Sequence, residues 1–469
     1  MIEVYNTLSR QKERFRPVKE GEVNIYCCGV TPYNAPHIGN ARPFVTWDVI
    51  RRFFAYKGYK VRYVQNFTDV DDKIIAKANG EGTDWKEISD RYIDSYFKDM
   101  DALNIKRASV YPRVSENMDE IIEMISGLIE KGYAYQTENG VYYSVEKFPH
   151  YGKLSGRSLE DNEAGARIET DEKKRHPMDF ALWKAAKPGE PAWDSPFGKG
   201  RPGWHIECSA MSLKYLGEKF DFHGGGSDLI FPHHENEIAQ SEAYLGKNTF
   251  AKYWCHNGFI TIHEEKMSKS KNNFFTVDEI LEEFDGEVVR FFILGTHYRS
   301  PLDFSKERLE EAKASLKRLV QAKETGEELL KREGNSESAK EILEKAKEYF
   351  KNFIDAMEDD FNTAKAIGEM HKLAKEINIY AAGNYEADQI NFAEVMKIYL
   401  DMAKIIGIFE SKKNNVNSKI DELIAFILNI RASAKKEKNY ALADRIRDGL
   451  REIGIIVEDT KTGVKWKWE

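Results

Sequence analysis

The stretch VNIYCCGVTPYNAPHIGN, residues 23–40, decides the reading of the fold. Val23–Cys28 is an apolar run interrupted only by Asn24, the pattern of a buried strand. Gly29–Pro36 is rich in Gly, Pro, Thr and Asn and reads as a loop. From about Gly39 to Lys57, Phe44, Trp47, Ile50, Phe53 and Phe54 fall on one stripe at helical spacing. Val61–Asn66 then returns to a strand pattern. Strand, loop, helix, strand opens a βαβ unit, so the fold class is α/β with a Rossmann-type parallel sheet.

Working outward, residues 1–110 form the first half of that domain. Residues 111–200 read as an insertion, with a hairpin over Tyr133–Val145 around Glu138-Asn139-Gly140. Sheet features return at Lys219–His223 and Trp254–Ile262, so 201–304 is the second half. Residues 305–410 carry long charged helical patterns and predict an α-helical bundle. Helices near Lys419–Lys436 and Tyr440–Ile453 and a β-like tail at Ile455–Trp468 make 418–469 a small α+β domain.

At 469 residues the chain holds two to four domains, at roughly 100–200 residues each. Hydrophobic residues at 41% and charged residues at 32% fit a globular protein rather than a disordered one. A net charge of −8 gives no support to nucleic-acid binding, DNA or RNA, although 70 Lys and Arg can still cluster locally. Four cysteines (Cys27, Cys28, Cys208 and Cys255) are too few for a disulfide framework, so metal binding or catalysis becomes the question. A charged start without an apolar core predicts no signal peptide, and no apolar run predicts a membrane span; the expected location is cytoplasmic.

Three constellations carry chemistry. His37-Ile38-Gly39-Asn40 opens a helix after a strand, where unpaired N–H donors can meet a phosphate, though alone it reads more readily as a turn with a helix cap. Lys266-Met-Ser-Lys269-Ser270 is a loop whose two lysines could follow the charge of a reacting triphosphate; alone it is equally a solvated basic loop. RPGWHIECSAM (201–211) and FHGGGSDLIFPHHENE (222–237) bring cysteine, histidine and carboxylate together with a glycine run. Either of Cys28 and Cys208 taken singly reads as packing, the usual state of a free cysteine.

In this order the first two motifs resemble the two signatures of class I aminoacyl-tRNA synthetases, with Asn40 where the family has a second histidine. Asparagine can donate a neutral hydrogen bond but carries no charge. The third constellation, with Cys28, resembles the cysteinyl-tRNA synthetase family over the whole chain. The resemblance implies one Zn²⁺ held by Cys28, Cys208, His233 and Glu237. It implies a cysteine pocket including Gly29, Thr31, Thr68 and Trp204. For ATP with Mg²⁺ it implies His37, Gly39, Asn40, Gly225, Asp228, Lys266 and Lys269, of which His37, Asn40, Lys266 and Lys269 act on the phosphates. It further implies L-cysteine and tRNA(Cys) as substrates, an anticodon-binding domain at 418–469, and a monomer. His234, Glu235, His256 and His263 remain supporting or surface candidates, and Cys27 and Cys255 remain packing residues. A soft thiolate on zinc would separate cysteine from serine, which a shaped pocket does poorly. The alternative is a mycothiol-type cysteine ligase, which resembles this family, also carries a Thr-Pro-Tyr segment like Thr31-Pro32-Tyr33, and passes cysteine to an amino-sugar. Lys73–Asn79 resembles a segment linked in the family to pyridoxal-phosphate-dependent persulfide formation, and equally reads as an amphipathic helix.

Overall fold

The computed structural model describes every residue except 157–173, 249, 263–264, 267–273, 333–336, 384–387, 411–414, 438, 461–462 and 469. The chain divides into two units, Met1–Phe409 and Glu410–Glu469. Among the described residues no helix is long and apolar enough to cross a membrane.

The first unit begins with an antiparallel pair, β1 (Glu3–Asn6) and β2 (Gln11–Arg14). β3 (Glu22–Val30), helix α1 (Ile38–Tyr56) and β4 (Lys60–Phe67) follow, as the opening stretch predicts. Then come α2 (Asp72–Glu81), α3 (Trp85–Ala102) and α4 (Met118–Glu130). β5 (Ala134–Thr137), β6 (Gly140–Tyr143), β7 (Phe180–Ala185) and β8 (Gly200–Pro202) form a separate antiparallel sheet in that order. Helix α5 (Trp204–Leu216), β9 (Phe220–Gly226), α6 (Glu235–Leu245) and β10 (Ala251–Asn257) complete the main sheet.

That sheet has the order β10-β9-β3-β4, with all neighbours parallel. Chain order therefore runs outward in both directions from the β3–β9 pair. Such a reversal opens a crevice at the carboxyl ends of the two strands, where ligands of open α/β sheets bind. The strand period of two sorts side chains to opposite faces. Val23, Ile25 and Cys27 enter the core built on α1, while Tyr26 and Cys28 enter the core built on α4, α5 and α6. Two adjacent cysteines thus have different surroundings.

The sheet region expected over Trp254–Ile262 is split. β10 ends at Asn257, and β11 (Ile260–Ile262) joins a second small sheet with β12 (Glu265–Lys266) and β13 (Leu302–Asp303). The break falls at Gly258, where an added Cβ would lie 2.5 Å from the Ser300 carbonyl oxygen. Buried Arg42 of α1 ties this break down by donating to the Gly258 and Phe259 carbonyls, each at 2.8 Å. Short helices α7 (Val277–Leu281) and α8 (Gly286–Leu294) lead to a bundle of α9 (Lys306–Leu330), α10 (Lys340–Glu358), α11 (Thr363–Ala382) and α12 (Asn391–Ile406).

The buried Asp48 carboxylate joins bundle and sheet domain. It accepts from Arg52 Nε and Arg290 Nη2, each at 2.7 Å, and from the Lys106 amide at 2.9 Å. Arg290 in turn donates to the last carbonyl of α12, at Ile406. The second unit contains α13 (Asn415–Lys436), α14 (Tyr440–Glu452) and the antiparallel pair β14 (Ile455–Thr460) and β15 (Gly463–Trp468), packed on Ile424, Leu428, Leu450 and Ile455.

Candidate active site

A cleft of about 350 Å³ opens at the carboxyl ends of β3 and β9. Its lining includes Cys28, Gly29 and Thr31 from the end of β3, His37, Gly39 and Asn40 from the start of α1, Gly225 and Asp228 from the end of β9, and Trp204. Nine residues singled out from the sequence therefore share one cavity.

Gly29 is dictated by packing. An added Cβ would stand 1.6 Å from the Asn66 carbonyl oxygen, and the Gly29 amide donates to Asn66 Oδ1 at 2.9 Å. The register between β3 and β4 shifts at this place, between Cys27 and Val30. At Gly225 an added Cβ would approach Leu229 Cδ1 to 2.8 Å and His234 Cε1 to 3.0 Å. Both strand ends can thus pass close to a ligand.

Cys28 of the cleft lining is grouped with Cys208, His233 and Glu237; all four are buried, with one donor atom from each within 4.8 Å of the others. Cys28 Sγ lies 3.8 Å from Cys208 Sγ and 3.5 Å from Glu237 Oε1, and His233 Nε2 lies 3.1 Å from that oxygen. A hydrogen bond from Cys28 lowers the Cys208 thiol to about 6 against the burial that raises it, while burial pushes Cys28 up. Burial also pushes Glu237 up, but His223 and His233 outweigh it and hold the carboxyl at about 2.

Cys28, His223, His234 and Glu237 make an overlapping group. The surrounding hydrogen bonds favour the first. His223 Nε2 sits 2.8 Å from Glu237 Oε2, which leaves Oε1 toward the thiols. His205 Nδ1 sits 2.9 Å from His233 Nδ1, which leaves Nε2 toward them. Outer partners that orient ligating histidines and carboxylates are a regular feature of metal sites. His234 reaches Cys28 Sγ at 3.3 Å and passes on to His256 at 2.7 Å and then Thr7 at 2.8 Å, a buried chain leading away from the cluster. Glu235 is turned elsewhere, accepting the amides of Leu154 and Ser155.

Trp204 stands over this group, its ring stacked on His233 at 4.4 Å between centroids and 42% exposed to the cleft. Thr68 is not on the cleft wall. It is buried one layer back, its hydroxyl bonded to Glu207 Oε2 at 3.1 Å. Asn40 closes a capping box: its amide donates to His37 Nδ1 at 3.1 Å and its side-chain oxygen accepts the His37 amide at 3.2 Å. The first turn of α1 is thereby fixed, which accounts for an asparagine at this position.

Lys269 and His263 lie outside the described residues, as does the Lys266 side chain. The backbone on both sides of residues 267–273 is placed. Lys266 pairs with Thr261 in β12–β11, and Phe274 packs edge-on against His37 at 4.8 Å. The Ile38 amide bonds to the Phe275 carbonyl and the Val277 amide to the Pro36 carbonyl, so the two motif-bearing segments are laced together. Sequence reasoning missed the supporting groups His205, His223 and Glu207, and the lining residues Tyr92, Asn257 and Phe259. His205, Glu207 and His223 lie inside the quoted motifs, but no spacing signal singles them out, and none marks Tyr92, Asn257 or Phe259.

The parallel sheet reversing at the cleft and the helices that follow it in the chain belong to a class I aminoacyl-tRNA synthetase, as the matching family model shows. A family model described as tRNA synthetases class I (C) catalytic domain matches residues 14–314, and a DALR domain model matches 352–410. The cysteine–tRNA ligase of Carboxydothermus hydrogenoformans is 56% identical over 469 residues, covering 99% of this chain and all of the relative. That of Clostridioides difficile is 53% identical over 470 residues, again covering 99% of this chain and all of the relative. Among solved structures, Mycobacterium tuberculosis methionyl-tRNA synthetase in complex with methionyl-adenylate superposes with a TM-score of 0.57 at 16% identity, over 82% of this chain and 90% of that one. The Agrobacterium radiobacter leucyl-tRNA synthetase ternary complex superposes at 0.61 and 10% identity, over 84% and 85%. These two likenesses speak to the fold alone. The chain belongs to the cysteine–tRNA ligase family.

Proposed function

We propose that this chain activates L-cysteine with ATP, transfers it to the 3′ end of tRNA(Cys), and selects cysteine through a zinc ion held by Cys28, Cys208, His233 and Glu237. The donor set carries the metal reading. Zn–S bonds of about 2.3 Å place two sulfurs of a tetrahedron about 3.8 Å apart. Cys28 and Cys208 stand at 3.8 Å already. When bound there, zinc would take the cysteine thiolate as a ligand, a bond that the serine hydroxyl makes poorly.

The chain's own residues supply the rest. Trp204 and Gly29 wall the cysteine side, and Thr31 faces the same space. Thr68, held by Glu207, supports this wall from behind rather than touching the cleft. Gly225 and Asp228 flank the nucleoside side, Asp228 as acceptor for ribose hydroxyls. His37 and Gly39 present the N-terminus of α1 to the phosphates of Mg-ATP, with Asn40 fixing that turn and Lys266 and Lys269 supplying charge. The cysteine carboxylate attacks the α-phosphorus, forming the mixed anhydride while pyrophosphate leaves. A terminal adenosine hydroxyl of the tRNA then attacks the acyl carbon, and AMP leaves. Neither step needs an enzyme nucleophile, so positioning and charge stabilisation carry the rate. Residues 418–469 read the anticodon, and the enzyme works as a cytoplasmic monomer.

ATP–pyrophosphate exchange with cysteine and with serine, alongside the zinc content of wild type and Cys208→Ser, tests the reading. Exchange specific for cysteine, lost together with the metal in the variant, is expected. Equal exchange with serine, or full exchange in a zinc-free variant, overturns it.

A further inference from the structure

The cleft has a third wall that neither the metal group nor the nucleoside side uses. It is formed by Tyr33, Lys73 and Tyr92. Lys73 lies in the first turn of α2 with its ammonium 5.2 Å from the centre of the Tyr33 ring. Lys77, one turn further along the same face, lies 4.9 Å from the centre of the Tyr92 ring. Lys77 is matched by Glu81 at 3.5 Å, whereas among the described residues no carboxylate pairs with Lys73. The two tyrosines are fixed from beneath, packed on a small core of Ile74, Ala78 and Ile88 separate from the two main cores. The start of α2 is anchored to the antiparallel sheet, because Asp72 pairs with Lys184 of β7 at 2.9 Å and with Arg201 of β8.

Two tyrosine rings, each with a lysine ammonium about 5 Å over it, make an aromatic and cationic wall, which suits single-stranded nucleic acid, whose bases stack and whose phosphates pair with cations. Adenosine of ATP has its own wall at Gly225 and Asp228, and cysteine is too small to reach both. We propose that Tyr33, Lys73, Tyr92 and Lys77 form the track that receives the single-stranded 3′ end of the tRNA, with Lys73 contacting a phosphate at the cleft mouth. This proposal rests on the tRNA-charging reading above and names the residues that meet the acceptor end.

The test compares full-length wild type, Lys73→Ala, Lys73→Arg and Tyr92→Ala in two assays: ATP–pyrophosphate exchange without tRNA, and cysteinylation of a tRNA(Cys) transcript over a range of KCl. Lys73 is exposed, so its removal leaves the folded core intact. Expected for Lys73→Ala is a fall in kcat/KM for tRNA of tenfold or more, with exchange changed by less than twofold. Its salt dependence should be shallower by about 0.7 in the logarithmic slope, as for one lost phosphate contact on a single strand. Lys73→Arg should recover most of the charging, and Tyr92→Ala should raise KM for tRNA. Charging by Lys73→Ala equal to wild type overturns the proposal. So does exchange falling as far as charging, which would put Lys73 on ATP or cysteine. Should wild type itself exchange but fail to charge tRNA, the acceptor reading fails instead, independently of the variants.

Discussion

Gly29→Ala puts the geometry of the β3–β4 junction to the test. The new Cβ would begin 1.6 Å from the Asn66 carbonyl oxygen, while ordinary contact starts at 3.4 Å. The strands must therefore part locally by well over an ångström. One neighbour of the site is Cys28; across from it Asn66 receives the Gly29 amide and approaches Cys208 Sγ at 3.8 Å. Both thiols would shift. Overpacking of a core costs about 1–3 kcal/mol, so the chain should still fold. A misplacement of about 1 Å at a reacting centre can cost about 100-fold in rate. In pyrophosphate exchange, kcat/KM for cysteine should fall by about that factor, with zinc content reduced and circular dichroism retained. Gly80→Ala is the matched control: its Cβ meets nothing within 4 Å, and a helix gains from alanine. A Gly29→Ala enzyme within threefold of wild type would refute the argument that strand spacing sets the site.

Two further substitutions probe the scaffold. Asp48→Asn leaves the buried guanidiniums of Arg52 and Arg290 without their anion, a loss of about 3–5 kcal/mol seen as a lowered thermal midpoint. Burial raises the Asp48 carboxyl but Arg290, Arg52 and Arg51 outweigh it and hold it below its ordinary value. Its stabilisation is therefore present above the unfolded-state pKa and lost as pH falls through the lower folded value; a midpoint as acid-sensitive in Asp48→Asn as in wild type would count against it. Asp99 is the opposite case. Both its oxygens are buried with no hydrogen-bond partner, and burial with Asp278 nearby raises it to about 7. The native state keeps this proton while the unfolded state releases it, so stability drains away as pH rises from about 4 to 7. Asp99→Asn should raise the midpoint at pH 8 and change it little at pH 4; an equal shift at both would contradict the assignment.

The opening βαβ unit was legible because its strand and helix differ in hydrophobic period and a loop of Gly and Pro separates them. Cys28 and Cys208 were legible only through their motifs. The reason Cys28 rather than Cys27 faces the cluster is strand parity, which single residues do not announce. Gly258, just past the end of β10, falls inside the Trp254–Ile262 stretch that reads as one sheet feature; only the Ser300 backbone packed against it makes it a boundary. Thr68 was expected on the wall and stands behind it, because the Asn66 and Glu207 side chains hold its hydroxyl there. Asn40 was weighed as a phosphate ligand, yet its spacing of three from His37 already fits a capping box. His205 and His223 gain meaning only when three distant segments meet.

The pairing of Cys27 with Cys28 limits how this protein can vary. The two thiols are chemically identical and differ only in which side of one pleat they occupy. A one-residue insertion upstream in β3, harmless in a surface loop, would move Cys27 into the place of Cys28 and bring the packing thiol to the cluster. Heritable change in this strand is therefore confined to substitutions that preserve its count, and length variation is displaced to the loops on either side.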